Sequence, residues 1–114
     1  MDDIFEVNIK MDMPSASVAV DRVREQIKIA RKLNFRAVKI IHGYGSTGRG
    51  GKIRTVVRTF LGQETDAGCI RGFITGEDFS IFDERTRRAF LSCGGLRKDR
   101  DLDRHNNGIT IILL

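Results

Sequence analysis

The sequence predicts one α/β domain in which four strands form a mixed sheet. Two stretches with apolar residues at helical spacing alternate with short alternating or β-branched runs. The resulting order is β-α-β-α-β, then an insert at about residues 76–107, then a last strand. The 114 residues are the length of one domain and contain no internal repeat. Strands joined by helices should pair in parallel, and the last strand should run antiparallel to the third.

The first part of the chain predicts a strand and an amphipathic helix. Over residues 4–10 (IFEVNIK) apolar and polar residues alternate from Phe5 on, as in a strand with one buried face. Residues 17–33 then follow helical spacing, with the basic side chains lying off the apolar stripe. Ser15 and Ser17 are both candidate N-caps, and Asn34 is a natural helix end.

A second strand leads into a glycine-rich loop and another helix. Residues 37–41 (AVKII) fit a central, largely buried strand, from which we expect Lys39 to face solvent. Five of the nine residues 43–51 are glycines, which indicates a loop with unusual backbone angles. Apolar residues at i, i+3, i+4, i+7 and i+8 from Ile53 to Leu61 then predict a helix that ends at Gly62.

The remaining residues predict two strands separated by the insert. Residues 69–74 and 108–114 have the apolar composition of strands. Within the insert, residues 83–93 predict a short helix that begins after an Asp83 cap and ends at the glycine pair 94–95. Residues 96–107 carry many alternating charges and few apolar side chains, so we expect a mobile loop there.

Composition and charge restrict the class of protein. No run of about 18 apolar residues predicts a membrane span, and the N-terminus lacks the features of a signal peptide. Cys69 and Cys93 form no metal-type pair, so we expect reduced thiols in a cytoplasmic protein. The net charge is +5, and residues 1–60 hold 12 Lys and Arg against 6 Asp and Glu. Such a basic half suits a polyanion such as nucleic acid.

The glycine-rich loop and the basic helix start after it are most indicative of function. A helix N-terminus has unpaired N–H groups and partial positive charge, and glycines allow a phosphate to approach them. Basic side chains at a helix N-terminus are repelled by its partial positive charge, and a bound anion would offset this repulsion. The candidate phosphate-binding residues are Lys10 on the neighbouring strand, His42, Gly43, Gly45, Arg49, Lys52 and Arg54, with Arg58 adding charge nearby.

Two familiar nucleotide-binding motifs do not fit this segment. A P-loop needs a hydroxyl residue after its lysine, but Ile53 follows Lys52, and the glycine spacing is one residue too long. The pattern G-x-G-x-x-G occurs at residues 43–48, but in the second βα unit. It also lacks an acidic residue at a strand end about 20 residues further on. The sequence therefore disfavours nucleotide binding.

Residues 40–48 (IIHGYGSTG) followed by 51–54 (GKIR) resemble the signature of the Smr (small MutS-related) domain. That signature is an apolar strand ending in H-G-x-G, a loop of small residues, and G-x-L-R at a helix start. The resemblance covers residues 7–74 well and 108–114 loosely. It implies a two-layer α/β sandwich similar to the C-terminal domain of a bacterial translation initiation factor. It also implies binding of DNA or RNA, which some members of the family nick or cleave.

The first strand departs from the family pattern. The family usually has L-D-x-H-G there, and the acid and the histidine are implicated in cleavage, whereas this chain has Asn8 and Lys10. Asn8 cannot act as a general base and is a poorer metal ligand than a carboxylate. Lys10 can hold phosphate but is protonated near neutral pH. Asp12 should lie past the strand end, so the resemblance implies binding more firmly than cleavage.

Several alternatives stay open at the level of sequence. His42 either contacts phosphate, acts as an acid or base, or is a strand-end histidine bonded to backbone. Tyr44 either stacks on a base or covers the loop's own core. The lead hypothesis is a nucleic-acid-binding domain in DNA repair, recombination or RNA quality control, without a cofactor. The others are a nuclease using His42 with a divalent metal such as Mg²⁺ or Mn²⁺, and a protein-interaction module using residues 96–107.

Overall fold

Strands and helices follow one another in the predicted order. The computed structural model describes residues 3–12, 14–44 and 49–114, and for residues 49 and 50 the backbone alone. The elements are β1 (Ile4–Asn8), α1 (Ala16–Lys32), β2 (Ala37–Ile41), α2 (Arg49–Asp66), β3 (Gly72–Thr75), α3 (Glu84–Ser92) and β4 (Ile109–Leu113), with 3₁₀ turns at Gly76–Asp78 and Gly94–Lys98.

The four strands form one mixed sheet in the order β1-β2-β4-β3. β1 pairs in parallel with β2, and β4 is antiparallel to both of its neighbours, β2 and β3. The predicted antiparallel pairing of the last strand with the third is therefore confirmed. Parallel pairing of β2 with β3 is wrong, because β4 lies between them. Ile111 and Ile112 of β4 are fully buried on opposite faces, which is the burial expected of a central strand.

The helix ends follow local capping rules. Ser15 accepts the N–H of Val18 at the start of α1, and Asp83 caps α3 as predicted. Asn34, with φ of 64°, ends α1 in the left-handed conformation. The prediction that Gly62 ends α2 is wrong, since the helix continues to Asp66 and Gly68 supplies the left-handed residue. One interior glycine costs a helix about 1 kcal/mol, which burial of the neighbouring apolar side chains offsets.

Helices cover both faces of the sheet, so the structure has two apolar clusters. Successive residues of a strand point to opposite faces. Val38, Ile40 and Ile112 face α1 and α2, whereas Ala37, Ile109 and Ile111 face α3 and the second 3₁₀ turn. The two-layer sandwich implied by the resemblance describes the sheet with α1 and α2. The insert adds a third layer over the other face.

A buried lysine fastens the insert to the sheet. The Lys39 side chain is 0% exposed, and its ammonium group contacts Asp99 (2.9 Å), Asp101 and, on the adjacent strand, Glu6 (3.5 Å). Burial alone would lower the pKa of Lys39, but hydrogen bonds to Asp101 and Asp99 raise it above its usual value. The prediction that Lys39 faces solvent is wrong. The charged stretch 96–107 is likewise anchored to β2 instead of forming the predicted mobile loop.

A close backbone approach holds the end of the insert. A Cβ atom on Gly76 would overlap the backbone oxygen of Asn106, so only glycine fits there without a shift of the chain. The Asn106 amide also donates to Asp101 (2.9 Å). These contacts fix the turn that leads into β4 at Ile109.

Two further expectations from the sequence concern membrane-spanning helices and the two cysteines. No helix in the described ranges is long and apolar enough to cross a membrane. Cys69 is exposed on the turn after α2. Cys93 is buried at the end of α3, with its sulfur 3.9 Å from the carbonyl oxygen of Asp3.

Candidate functional site

One edge of the sheet gathers the loops that carry the predicted site. The parallel strands β1 and β2 end there, and α1 and α2 begin there. The antiparallel β4 starts at the same edge, because Ile109 lies opposite Ile41, and β3 ends beside it, because Thr75 lies opposite Thr110. Ligands of open α/β sheets commonly bind at the carboxyl ends of the parallel strands.

His42 lies inside this edge, and its ring nitrogens are both engaged. The residue is 0% exposed, with Nε2 2.8 Å from Thr110 Oγ1 and Nδ1 3.0 Å from the Gly43 oxygen. A carbonyl only accepts hydrogen bonds, so Nδ1 donates to Gly43 and Nε2 accepts from the Thr110 hydroxyl. Burial lowers the pKa of His42 to about 4, and the charges of Arg58 and Arg54 act in the same direction. The ring is therefore neutral at pH 7, and in this position it does not reach a surface phosphate.

Arg58 connects α2 to β4 and is paired with an acid. Its Nε donates to Thr110 Oγ1 (3.0 Å), and its two terminal nitrogens donate to the Glu77 carboxylate (2.8 and 2.9 Å). Burial alone would raise the pKa of Glu77, but the hydrogen bond from Arg58 holds it below its usual value. A continuous chain of hydrogen bonds thus runs from Arg58 through Thr110 and His42 to Gly43. Arg58 is a structural residue whose charge is largely neutralised.

Sequence reasoning missed the two partners of this arginine. Thr110 carried a usable signal, because it is the one polar residue within the apolar strand β4. Glu77 carried none, since it lies 19 residues from Arg58 in the first 3₁₀ turn, which the sequence did not predict.

The start of the glycine-rich loop is held by residues from two neighbouring elements. Gly43 has φ of 85°, and a Cβ atom on it would lie 3.4 Å from Lys10 Cδ, so the lysine stem passes over this glycine. Arg54 donates to the Tyr44 carbonyl (2.9 Å). The Tyr44 ring is exposed and lies against Gly108, where a Cβ atom would be 3.2 Å from the ring. The structure therefore brings together four of the predicted site residues, Lys10, Gly43, Tyr44 and Arg54.

The accessible cations of this edge differ from Arg58 in their surroundings. Lys10 and Lys52 are exposed and Arg54 is half-buried. None of the three forms an ion pair with an acidic residue in the described part of the chain. Gly45 and the side chain of Arg49, which were also predicted to bind phosphate, lie outside what the structure describes.

Asn8, which stands where the Smr signature usually has an acidic residue, has a structural role in this chain. The Asn8 side-chain oxygen accepts the backbone N–H of Lys10 (2.9 Å), which forms a turn at the end of β1. Asp12 is exposed in a left-handed turn (φ 64°) beyond the strand, as expected. Within residues 3–12, 14–44 and 49–114, no three His, Cys, Asp or Glu side chains gather as a metal site would require.

A shallow groove next to Tyr44 was not predicted. It has a volume of about 470 Å³, and its other wall comes from the insert. His105 of this wall is exposed, and its Nδ1 lies 3.2 Å from the Glu77 carbonyl oxygen. The lining residues are Tyr44, Arg100, Asp101, Arg104, His105 and Asn106.

Comparisons with known proteins agree with the fold and with the loop motif. The family model described as the Smr domain matches residues 12–73, which is more than half of the chain. The crystal structure of the Smr domain of Thermus thermophilus MutS2 is similar, with a TM-score of 0.56, 19% sequence identity and 96% of each chain covered. At that identity the likeness shows the fold alone. No curated protein sequence matches significantly.

Proposed function

Because the chain belongs to the Smr family, we propose that it binds nucleic acid through the phosphate backbone, at the sheet edge where α2 begins. The observation that carries this proposal is the set of exposed or half-buried cations Lys10, Lys52 and Arg54, which form no ion pair with an acid of the described chain. Phosphate contacts of this kind dominate the affinity of nucleic-acid-binding proteins.

The electrostatics of α2 support an anion at this place. Its first turn contains no acidic residue, although acids are the residues that stabilise a helix N-terminus. Lys52 instead places positive charge on that turn, and Arg54 follows in the next turn. A cation on the first turn costs up to about 1 kcal/mol, and a phosphate near the glycine-rich loop would offset this cost.

In this proposal His42 positions the loop and does not itself bind phosphate or transfer protons. The Nδ1 of its neutral ring donates a hydrogen bond to the Gly43 carbonyl, and the Lys10 side chain lies over the same glycine. Asn8 closes the strand-end turn and offers no base. These contacts favour binding over cleavage. We propose a cytoplasmic role in DNA repair, recombination or RNA quality control. Separate DNA and RNA probes distinguish the two DNA roles from the RNA role.

The test compares two double charge reversals that change the net charge equally. Lys52→Glu with Arg54→Glu removes cations from the proposed site, whereas Lys28→Glu with Lys32→Glu removes exposed cations from the other end of α1. Fluorescence anisotropy would measure binding of labelled single-stranded DNA, duplex DNA and RNA over a range of salt concentrations. We expect the site variant to lose about tenfold or more in affinity and the salt slope to become shallower by about two, with the control close to wild type.

Other outcomes would contradict the proposal. Equal losses in both variants would mean that only net charge matters, and unchanged binding in the site variant would reject the site. The same samples with Mg²⁺ or Mn²⁺ would be run on denaturing gels. Shorter products that disappear in His42→Asn would support a nuclease instead.

A further inference from the structure

We propose that Tyr44 and the insert form a subsite for an unpaired nucleobase, so that the nucleic acid bound at this edge is single-stranded there. This inference rests on the proposed function and deepens it by naming the form of nucleic acid. The subsite is the groove described above, with Tyr44 on one side and Arg100, Arg104 and His105 on the other. The insert residues lie outside the segment 12–73 that matches the family model.

The Tyr44 ring is exposed yet held in place. It is 61% exposed, so one face is open to a ligand. Arg54 fixes its backbone carbonyl, and the ring lies on Gly108, which has no side chain to displace it. An aromatic ring fixed in this way loses little conformational entropy on binding a planar partner.

The opposite wall is also fixed, by contacts that lie beneath it. Asp101 is bonded to Lys39 and to Asn106, which attaches this part of the insert to β2. The His105 ring reaches the Glu77 carbonyl. Arg104 remains exposed above these contacts, and Arg100 is exposed as well although it also contacts Glu6 of β1 (3.4 Å). The groove therefore has rigid supports and cationic side chains at its rim.

This combination of groups fits a base attached to a charged backbone. An exposed aromatic face stacks on any base, and guanidinium groups either stack on bases or contact phosphates. In a duplex each base is covered by its neighbours and cannot offer a free face, whereas single strands, loops and ends can. A free phosphate would need the arginines but not the tyrosine. Because Arg54 of α2 belongs to the proposed phosphate site and donates to the Tyr44 carbonyl, the subsite adjoins that site directly.

The experiment separates bases from backbone charge. The probes are an oligothymidylate, an abasic strand with the same number of phosphates, and a duplex of the same length, with matching RNA strands. We expect the intact single strand to bind roughly tenfold more tightly than the abasic strand, which is the size of one stacking contact. The difference should disappear in Tyr44→Leu and persist in Tyr44→Phe, and Arg104→Ala should weaken binding of the intact strand.

The leucine variant keeps an apolar side chain over Gly108, and thermal unfolding of each variant checks the fold. Equal binding of intact and abasic strands, or a difference that survives in Tyr44→Leu, would overturn the base subsite and leave the phosphate site standing. Absence of binding to every probe at low salt would instead reject the proposed function, and the subsite with it.

Discussion

Two groups of cations in this domain differ chiefly in the carboxylates around them. Lys39 is paired with Asp99 and Asp101, and Arg58 is paired with Glu77. The fold brings all three acids from distant positions in the sequence. Both cations hold elements together, the first attaching the insert to β2 and the second attaching α2 to β4. The positive charge of each is compensated by these acids and is not available to a ligand.

Lys10, Lys52 and Arg54 show the opposite arrangement. They gather at one sheet edge without an acidic partner in the ranges that the structure describes. In the sequence all five cations look alike, as single basic residues in or beside apolar stretches. In these five residues, the acids that tertiary folding places beside a cation decide whether it is structural or available for a ligand.

The largest effect should come from removing the buried lysine. Lys39→Met leaves Asp99 and Asp101 near the protein interior without a cation, and breaking a buried pair in this way costs about 3–5 kcal/mol. Urea denaturation would show this loss in the free energy of unfolding. Lys98→Met, which replaces an exposed lysine of the insert, should change it by less than about 0.5 kcal/mol. Similar small losses in both variants would show that the ion cluster does not hold the insert.

An intermediate effect should come from protonation of His42. Its pKa is lowered from 6.5 to about 4, so between these values the unfolded chain takes up a proton that the folded chain does not. Stability from this residue is present above pH 6.5 and is lost as the pH falls toward 4, by up to about 3 kcal/mol. Urea denaturation of wild type and His42→Asn over this range would isolate it, because the carboxylates titrate in both proteins. If the difference in unfolding free energy between wild type and His42→Asn does not vary with pH, the lowered pKa of His42 is contradicted.

The smallest effect should come from releasing the charge of Arg58. Glu77→Gln removes its acidic partner, which should cost at most about 1 kcal/mol of stability because the pair is partly exposed. The added positive potential near α2 should tighten nucleic-acid binding by roughly a few-fold at low salt. Glu25→Gln on α1 makes the same charge change away from the site. If both variants tighten binding equally, proximity to the site has no role.

Local patterns in the sequence were sufficient for most elements and for the position of the loop. The spacing from Ile53 to Leu61 predicts α2 because helical periodicity depends only on neighbouring residues. The same holds for β2 at residues 37–41, which the structure reproduces without a shift. The end of α2 was missed because Gly62 and Gly68 look equivalent in sequence. Only the buried face of the helix decides how far it continues.

The features that escaped prediction depend on contacts between distant residues. β4 enters the sheet between β2 and β3, and no property of residues 109–113 alone specifies that place. The ion pair of Lys39 with Asp99 spans 60 residues of sequence, and the hydrogen bond of His42 with Thr110 spans 68. For this reason His42 could be identified as a member of the site, while its burial and protonation state could not.

The ion cluster around Lys39 also bears on how such a domain can change over time. The segment that matches the family model contains the lysine but not Asp99 or Asp101. Replacing the insert by a loop without these acids would leave a charged group inside the sheet, and replacing the lysine alone would leave two acids unpaired. Neither step is tolerated well by itself, so the loop and this one residue of the central strand are expected to be inherited, or exchanged between related domains, as a single unit.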